Sequence, residues 1–599
     1  MVTKLTFYGG VEEIGGNKIL VQTENGTVLL DFGRRMGYTQ DYFSGFHQIR
    51  SKNALRDMIR LGILPKINGI YAPHLIDMTV LFGGPEVMDK VPADQAPDYW
   101  KLTDVTPFNP ATPFVDAVFV SHAHFDHIQD VSFLDPSIPV YCSKQTKILA
   151  KAMSDVSVSG VDDQYYEIST KVTIRQKTTH YKTLCPGECA CDEENESEKP
   201  IIEDPKTKFK FTYEFTPHYR TFETAPQGQI KGIKYKMIPV GHSVPGACSI
   251  LLTLPSGKRI LYTGDIRFHG ENEVSMDDYV QSIDGPIDVM ITEGTRIDNE
   301  EILTEGEIAA KVSSDIEHAE GLVLINFGWK DLTRFNTVYE ASKNNERTLV
   351  ISPKLAYLLY EMHVNFSTEY PDPRTMTNLK VYLKREGALL YSKADYDKFK
   401  MGYLHFHGRN SAMKDWNIVR IAERLGIGGD PNNRNNPLPR SCAGQPYDYK
   451  EVYALATHHL DNGVRAYEIR SNPQQYVLMF SYWDANELFD LIPLNNDHKT
   501  LYVCASTEPF NEEMEIDETK FVNWLDFFKV TYESEIKDGL KIFARRHVSG
   551  HASRSELKEL IEKINPAKII PIHTTKSNMF EEMFPDKTIL PRYAQAIEI

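Results

Sequence analysis

Three imidazoles and a carboxylate crowd into His122-Ala123-His124-Phe125-Asp126-His127, directly after the apolar run Ala117-Val118-Phe119-Val120. A chain that does this ends a strand on a loop that is either a polar, histidine-rich connection or, as three imidazoles and a carboxylate in this order favour, a set of metal ligands. The strand fixes the backbone, and the loop is free to aim its side chains. His122 and His124 alternate, so an extended segment points both to one side. Asp126 and His127 follow at once, so a turn must redirect them. Two histidines can then serve one metal, while Asp126 and His127 serve a neighbour. Zinc accepts imidazole nitrogen and carboxylate oxygen and leaves a position open for water.

Four distant segments can complete such a pair of sites. His242 in Val240-Gly241-His242-Ser243 can be a third imidazole on the first metal. Asp265 follows a strand-like run and a glycine, a place from which a carboxylate can bridge two metals. His573 in Ile570-Pro571-Ile572-His573 can complete the second. Asp31 ends the apolar run Thr27-Val28-Leu29-Leu30 and is expected behind a ligand histidine, orienting it. Taken singly, each of these can be an ordinary capping or core polar residue. Jointly they describe two metals about 3.5–4 Å apart, able to generate a hydroxide and to stabilise both oxygens of an in-line displacement at phosphorus.

The bulk composition sets the frame. A chain of 599 residues exceeds one ordinary core, so two or more domains are expected. Hydrophobic content of 41% and charged content of 25% are those of a globular protein. No apolar run approaches the roughly 20 residues of a membrane helix. Strand-like sequence begins directly after Met1-Val2-Thr3-Lys4, so no signal peptide is expected. Seven cysteines in a chain of this size do not form a disulfide framework, and a cytoplasmic location is expected. The net charge of −17 weighs against a nucleic-acid ligand, but binding follows the local potential of a groove, to which metal ions add positive charge.

Along the chain, β-rich segments bounded by glycines dominate the first third, with long elaborations near 38–112 and 180–230. From about 303 the rhythm becomes alternating strand and helix, the signature of a parallel α/β unit. Near 540 the metal-site character returns.

The order of these motifs resembles that of the metallo-β-lactamase superfamily. Ile291-Thr292-Glu293-Gly294-Thr295, His547-Val548-Ser549-Gly550-His551-Ala552-Ser553 and Pro571-Ile572-His573 are similar to three motifs of its β-CASP group, the nucleic-acid-processing branch. Gly9-Gly10-Val11-Glu12-Glu13-Ile14-Gly15-Gly16-Asn17 resembles the opening of the ribonuclease J subgroup. The resemblance implies an αββα metallo-β-lactamase sandwich carrying an inserted α/β β-CASP domain. Residues 1–302 and 540–599 would form the sandwich, and 303–539 the insert. It implies His122, His124 and His242 on one metal, Asp126, His127 and His573 on the other, and Asp265 between them. The catalytic set would be Asp126, Asp265, Glu293 and His551, with Glu293 pairing His551 as the acid for the leaving oxygen. His547, Ser549, Gly550 and Ser553 would meet a substrate phosphate, although Ser553 ahead of Glu556 also reads as a helix cap. The implied cofactors are two divalent ions, zinc or manganese. The implied substrate is single-stranded RNA with a 5′-monophosphate end, cut 5′-to-3′ with endonuclease action also open, by a chain that can form a homodimer. Where ribonuclease J members usually carry glycines after the cluster, this chain has Ile128-Gln129-Asp130; where they usually carry Gly-Glu after the last histidine, it has Thr574-Thr575.

Other readings stay open at this stage: a hydrolase of a small ester, thioester or lactone, a DNA nuclease of the same group, or a non-catalytic RNA-binding subunit. Cys185, Cys189 and Cys191 can hold a further zinc or be free thiols in a loop. Arg545-Arg546 can steer phosphate or sit as solvated charges. Trp329, Lys330 and Arg334 can contact an RNA strand, although a tryptophan is more often core.

Overall fold

The computed structural model describes residues 2–599 except 46, 51–52, 77–104, 157–160, 178–208, 271–272, 301–302, 385–457, 459–461, 494–496, 510–511 and 538–539. Cys185, Cys189 and Cys191 lie outside the described residues, as does part of the elaboration near 38–112.

Two sheets stack face to face. The first, of seven strands, runs in the order Ala596–Glu598, Lys4–Phe7, Lys18–Gln22, Thr27–Phe32, Ala117–Phe119, Val140–Tyr141 and Phe222–Glu223. The second, of six, runs Lys568–Ile572, Val289–Glu293, Arg259–Tyr262, Cys248–Thr253, Ile233–Pro239 and Gln227–Ile230. The central strands, such as Thr27–Phe32, Ala117–Phe119, Cys248–Thr253 and Val289–Glu293, are covered on both faces, which is why their sequences are near-continuous apolar runs. Successive side chains point to opposite faces. Val28 and Leu30 therefore enter the core between the sheets, against Ile250, Ile260 and Ile291, while Leu29 faces outward.

Outward on the first sheet, Leu29 and Val118 share a core with Leu55 and Met58 of the helix Ala54–Leu61 and Leu149 of the helix Lys144–Val156. Outward on the second, Leu261 and Met290 pack with Leu557 and Leu560 of the helix Arg554–Ile564. Each such side chain contributes about 1.5–3 kcal/mol when removed from water. The result is an αββα sandwich.

A third sheet of seven parallel strands is built from residues between Val323 and Tyr532, in the order Val464–Arg465, Leu379–Leu383, Thr348–Ile351, Tyr476–Met479, Val323–Asn326, Leu501–Cys504 and Thr531–Tyr532. Helices Glu305–His318, Leu332–Asn344 and Pro353–Asn365 alternate with its strands. The first opens on a capping box, Thr304 with Glu307, and the third on Ser352 followed by Pro353. This is the inserted α/β unit. After it, Lys568–Ile572 returns to the second sheet and pairs in parallel with Val289–Glu293, aligning Glu293 with Ile572.

That return decides where the chemistry sits. Thr27–Phe32 and Ala117–Phe119 are parallel, as are Arg259–Tyr262, Val289–Glu293 and Lys568–Ile572. The expected site residues cluster where these strands end. Asp31 and His573 both adopt left-handed φ, 54° in each case. A non-glycine residue takes that conformation at a cost, and the surrounding structure must impose it.

Candidate metal centre

The turn required after His124 is a single helical turn, Phe125–Ile128. Gly33 makes it possible: a Cβ there would collide with the backbone of Asp126 and His127. The turn delivers two groups of side chains on either side of Asp265.

On one side, His124 Nδ1 lies 3.0 Å from His122 Nε2 and 3.1 Å from His242 Nε2. Asp265 Oδ2 stands 3.6 Å from His122 and 3.8 Å from His242. On the other, His573 Nε2 is 3.1 Å from Asp126 Oδ2, and His127 Nε2 is 3.2 Å from Asp265 Oδ2. Asp265 Oδ1 reaches toward His573, at 3.7 Å. Asp265 therefore touches both groups.

The opposite ring nitrogens explain the orientation. His242 Nδ1 donates to the carbonyl of Gly550 at 2.6 Å, and a carbonyl can only accept. His127 Nδ1 donates to Asp31 Oδ2 at 2.7 Å. His573 Nδ1 meets the hydroxyl of Thr295 at 2.8 Å, while that hydroxyl donates to the carbonyl of His573. His122 Nδ1 meets Ser121 Oγ at 3.1 Å. With the outer nitrogens carrying the protons, the inner ones can present lone pairs, as ligand histidines must. Burial opposes the charging of His127, but Asp265, Asp126 and Asp31 outweigh it and raise it, so a cation would displace its second proton. Asp31 does not enter the cluster. It is fully buried and accepts from Ser121 N at 2.7 Å, Ser121 Oγ at 2.8 Å, His127 and the hydroxyl of Tyr262.

A divalent cation fits this donor set. His127 Nε2 and Asp265 Oδ1 are buried atoms aimed into the cluster with no hydrogen-bond partner. His122, His124, His242 and Asp265 offer one ligand atom each within 4.8 Å of one another, and so do Asp126, His127 and His573. Burial, reinforced by neighbouring imidazoles, holds His122 and His124 well below the usual imidazole range. Burial likewise pushes His242 down to about 4. Neutral imidazole is the form that binds metal. Burial would raise the carboxyl of Asp265, but His127, His573 and His551 outweigh it and hold it well below the carboxylate range.

His551 stands at the partly exposed edge. Its Nδ1 lies 3.0 Å from Glu293 Oε2 and 3.9 Å from Asp265 Oδ2. Burial opposes its charging, but Glu293 and Asp265 outweigh burial and raise it to about 9. Glu293 is fixed in turn by the backbone N–H groups of Ile266 and Thr295, each at 3.1 Å. Asp265, His551 and His573 also converge closely enough to form a third potential ligand group.

The expected phosphate loop is placed unevenly. Gly550 packs on His242, and a Cβ there would sit 2.9 Å from its ring. Ser549 Oγ accepts from His551 N at 3.2 Å, and its carbonyl accepts from Arg267 and His269 at 3.1 Å each. Burial, with Arg334 and Arg267 nearby, pushes His547 down to about 3, and its Nδ1 has no partner. Ser553 departs from the expectation. It is fully buried as the N-cap of Arg554–Ile564, in a closed capping box with Glu556, because the orphan N–H groups of that helix need its hydroxyl. Arg545 and Arg546 are ion-paired, with Glu518 and with Asp315 and Glu533 respectively. Arg334 is buried against Glu305 at 3.3 Å and offers no free face to a strand of RNA, while Trp329 packs against the core and is partly buried.

The positioning roles of Tyr262, Thr295 and the Gly550 carbonyl had no sequence signal, because their partners lie far away in the chain. Behind the cluster, Asp130 accepts from fully buried Lys18 at 3.0 Å and from Arg34 at 2.6 Å.

Residues 540–582 match the family model described as the RNA specificity domain of Zn-dependent metallo-hydrolases. Ribonuclease J of Mycoplasma genitalium is 27% identical over 141 residues, a stretch that covers 22% of this chain and 24% of that protein. The match thus spans about a quarter of that relative. A crystal structure of a protein of unknown function from Enterococcus faecalis shares the fold along the full length of both chains, with a TM-score of 0.59 and 18% identity. The metallo-β-lactamase fold protein YhfI from Bacillus subtilis aligns over 49% of this chain and 73% of its own at 12% identity, with a TM-score of 0.20, too low to carry weight.

The αββα sandwich, its donor cluster and the matched segment make the chain similar to the Zn-dependent metallo-hydrolases. The likeness to ribonuclease J is confined to the matched stretch. Among the described residues, no helix is long and apolar enough to cross a membrane.

Proposed function

We propose that this chain is a two-metal phosphodiesterase that hydrolyses the backbone of single-stranded RNA from a 5′-monophosphate end, with internal cleavage as a second mode. The observation that carries the reading is Asp265, whose Oδ2 lies 3.2 Å from His127, 3.6 Å from His122 and 3.8 Å from His242 while its Oδ1 lies 3.7 Å from His573, so that one carboxylate meets both groups of imidazoles. His122, His124 and His242 would hold one ion, Asp126, His127 and His573 the other, and Asp265 would join them. Zinc suits the nitrogen-rich set, and manganese is the alternative. Bound there, divalent ions supply an activated water and neutralise charge on the phosphate.

The chain's own residues do the rest. Asp31, Thr295 and the carbonyl of Gly550 fix the ligand rings. Glu293 keeps His551 protonated, and His551 at the open edge gives that proton to the leaving oxygen. Ser549 and Gly550 hold the loop that carries His551, while the unpartnered Nδ1 of His547 is buried behind it. The RNA-specificity description of residues 540–582 and the ribonuclease J relative favour RNA over a small ester or DNA. The complete donor set speaks against a silent partner subunit. In this reading residues 1–302 and 540–599 supply the metal centre, and 303–539 form one wall of the substrate cleft. A homodimer and a cytoplasmic setting belong to the same reading.

Purified, metal-replete chain should release labelled mononucleotide from RNA carrying a labelled 5′-monophosphate, and EDTA should abolish the release. Labelled internal fragments would move the reading to endonuclease action. No cleavage of RNA or matching DNA, with metal bound, would turn it to a small-molecule hydrolase.

A further inference from the structure

The acidic chain poses a question that the metal cluster alone does not answer: which cation receives the rest of a polyanion? The arginines around the site are committed. Arg267 pairs with Glu273 at 2.6 Å, Arg334 with Glu305 at 3.3 Å, Arg546 with Asp315 at 2.8 Å, and Arg545 with Glu518. Lys330 is different. Among the described residues it has no carboxylate in salt-bridge range.

Lys330 belongs to the connection between the strand Val323–Asn326 and the helix Leu332–Asn344. Ligands of open parallel sheets bind outside the carboxyl ends of the strands, where this connection lies. From there it crosses to the sandwich. Its ammonium lies 4.3 Å from the centroid of the Phe125 ring, between His124 and Asp126 in sequence. Phe125 is itself 37% exposed, so the pair stands at the open side of the cluster. The ammonium acts electrostatically on His124 and on Asp126. Burial is the larger influence on Lys330 and pulls it down to about 8, the mark of a cation poorly solvated and poorly paired. The ring face attracts an ammonium electrostatically. That holds the side chain in place without neutralising it.

We propose that Lys330, seated on Phe125, is the inserted domain's contact to a backbone phosphate of the substrate, next to the one being cut. This rests on the RNA phosphodiesterase reading above. Lys330 would position the strand across the metal cluster, and the alkyl stem on Phe125 would set how far it reaches. The competing account is that the Lys330–Phe125 contact only ties the inserted sheet to the sandwich.

Lys330→Met separates the two, because it keeps the stem on Phe125 and removes the charge. Zinc-loaded wild type, Lys330→Met and Lys330→Arg are compared by fluorescence anisotropy with a labelled, phosphorothioate-linked RNA decamer over a salt series. Calorimetry with inorganic phosphate is run alongside. Metal content and melting temperature serve as fold controls. For Lys330→Met the expected result is a Kd about tenfold higher and a salt slope smaller by about 0.7. Lys330→Arg should stay within about threefold of wild type. Equal Kd and equal slope for wild type and Lys330→Met overturn the phosphate contact while leaving the ribonuclease reading intact. Phosphate binding that is weakened in Lys330→Met, in a protein that binds no RNA, keeps the contact and overturns that reading. Wild type that binds neither probe overturns both.

Discussion

His551 Nδ1 donates to Glu293 Oε2 across 3.0 Å, although 258 positions separate the two residues. The carboxylate also accepts two backbone N–H groups, so it is a fixed anion and not a ligand in search of a metal. An imidazole so held is a proton donor. His551→Ala should keep its metal and lose about 10²–10⁴-fold in kcat. Metal analysis beside single-turnover cleavage checks this. Loss of metal in that variant would make His551 a ligand, in line with its closeness to Asp265 and His573.

Asp31 gathers four donors and passes their order to His127. Asn at this position can present an N–H where His127 needs an acceptor. Asp31→Asn should weaken metal binding or activity by about 10–100-fold, the usual effect of removing a ligand's supporting partner. A competition assay with a zinc-sensing dye reads this directly; unchanged affinity and activity would count against the orienting role.

Stability should respond to pH through Glu556. Burial alone would raise its carboxyl, but bonds from His269 and from the backbone and hydroxyl of Ser553 outweigh it and leave it lowered. A lowered folded value means stability that is present above the unfolded value of about 4.3 and lost as pH falls through the folded one. Glu556→Gln should therefore cost on the order of 1–2 kcal/mol at neutral pH. In thermal melts, the gap to wild type should close at pH below about 4. A gap that persists unchanged into acid would refute the assignment.

Lys18 is fully buried against Asp130, with Arg34 as the second cation. Lys18→Met leaves Asp130 half-neutralised in the interior and should destabilise the sandwich by about 3 kcal/mol, the lower end for a broken buried pair. Urea unfolding of the metal-free chain measures it. A loss under 1 kcal/mol would show that Arg34 suffices.

The candidate ligand residues that the structure brings together were legible because they stand where buried strands stop, and a polar residue at the end of an apolar run is conspicuous. The αββα sandwich and the parallel insert could likewise be read from apolar runs and from the strand–helix alternation after residue 303. What holds the ligands was not legible. Tyr262 and Asn17 bond across 245 positions, and Thr295 meets His573 across 278. A tyrosine in an apolar strand looks like core until the opposite sheet is in place. Ser553 carried two sequence readings, a phosphate loop and a helix cap, and its burial and closed capping box are those of the cap. Arg545 and Arg546 looked available until Glu518, Asp315 and Glu533 arrived from other elements.

The most direct test titrates zinc into metal-free wild type and Asp265→Ala, following bound metal per chain and RNA cleavage in the same samples. Asp265 touching both ligand groups predicts two ions per wild-type chain, cleavage that appears with the second ion, and loss of both metal and cleavage in Asp265→Ala. An Asp265→Ala protein that keeps full metal content and cleaves RNA normally would contradict the account.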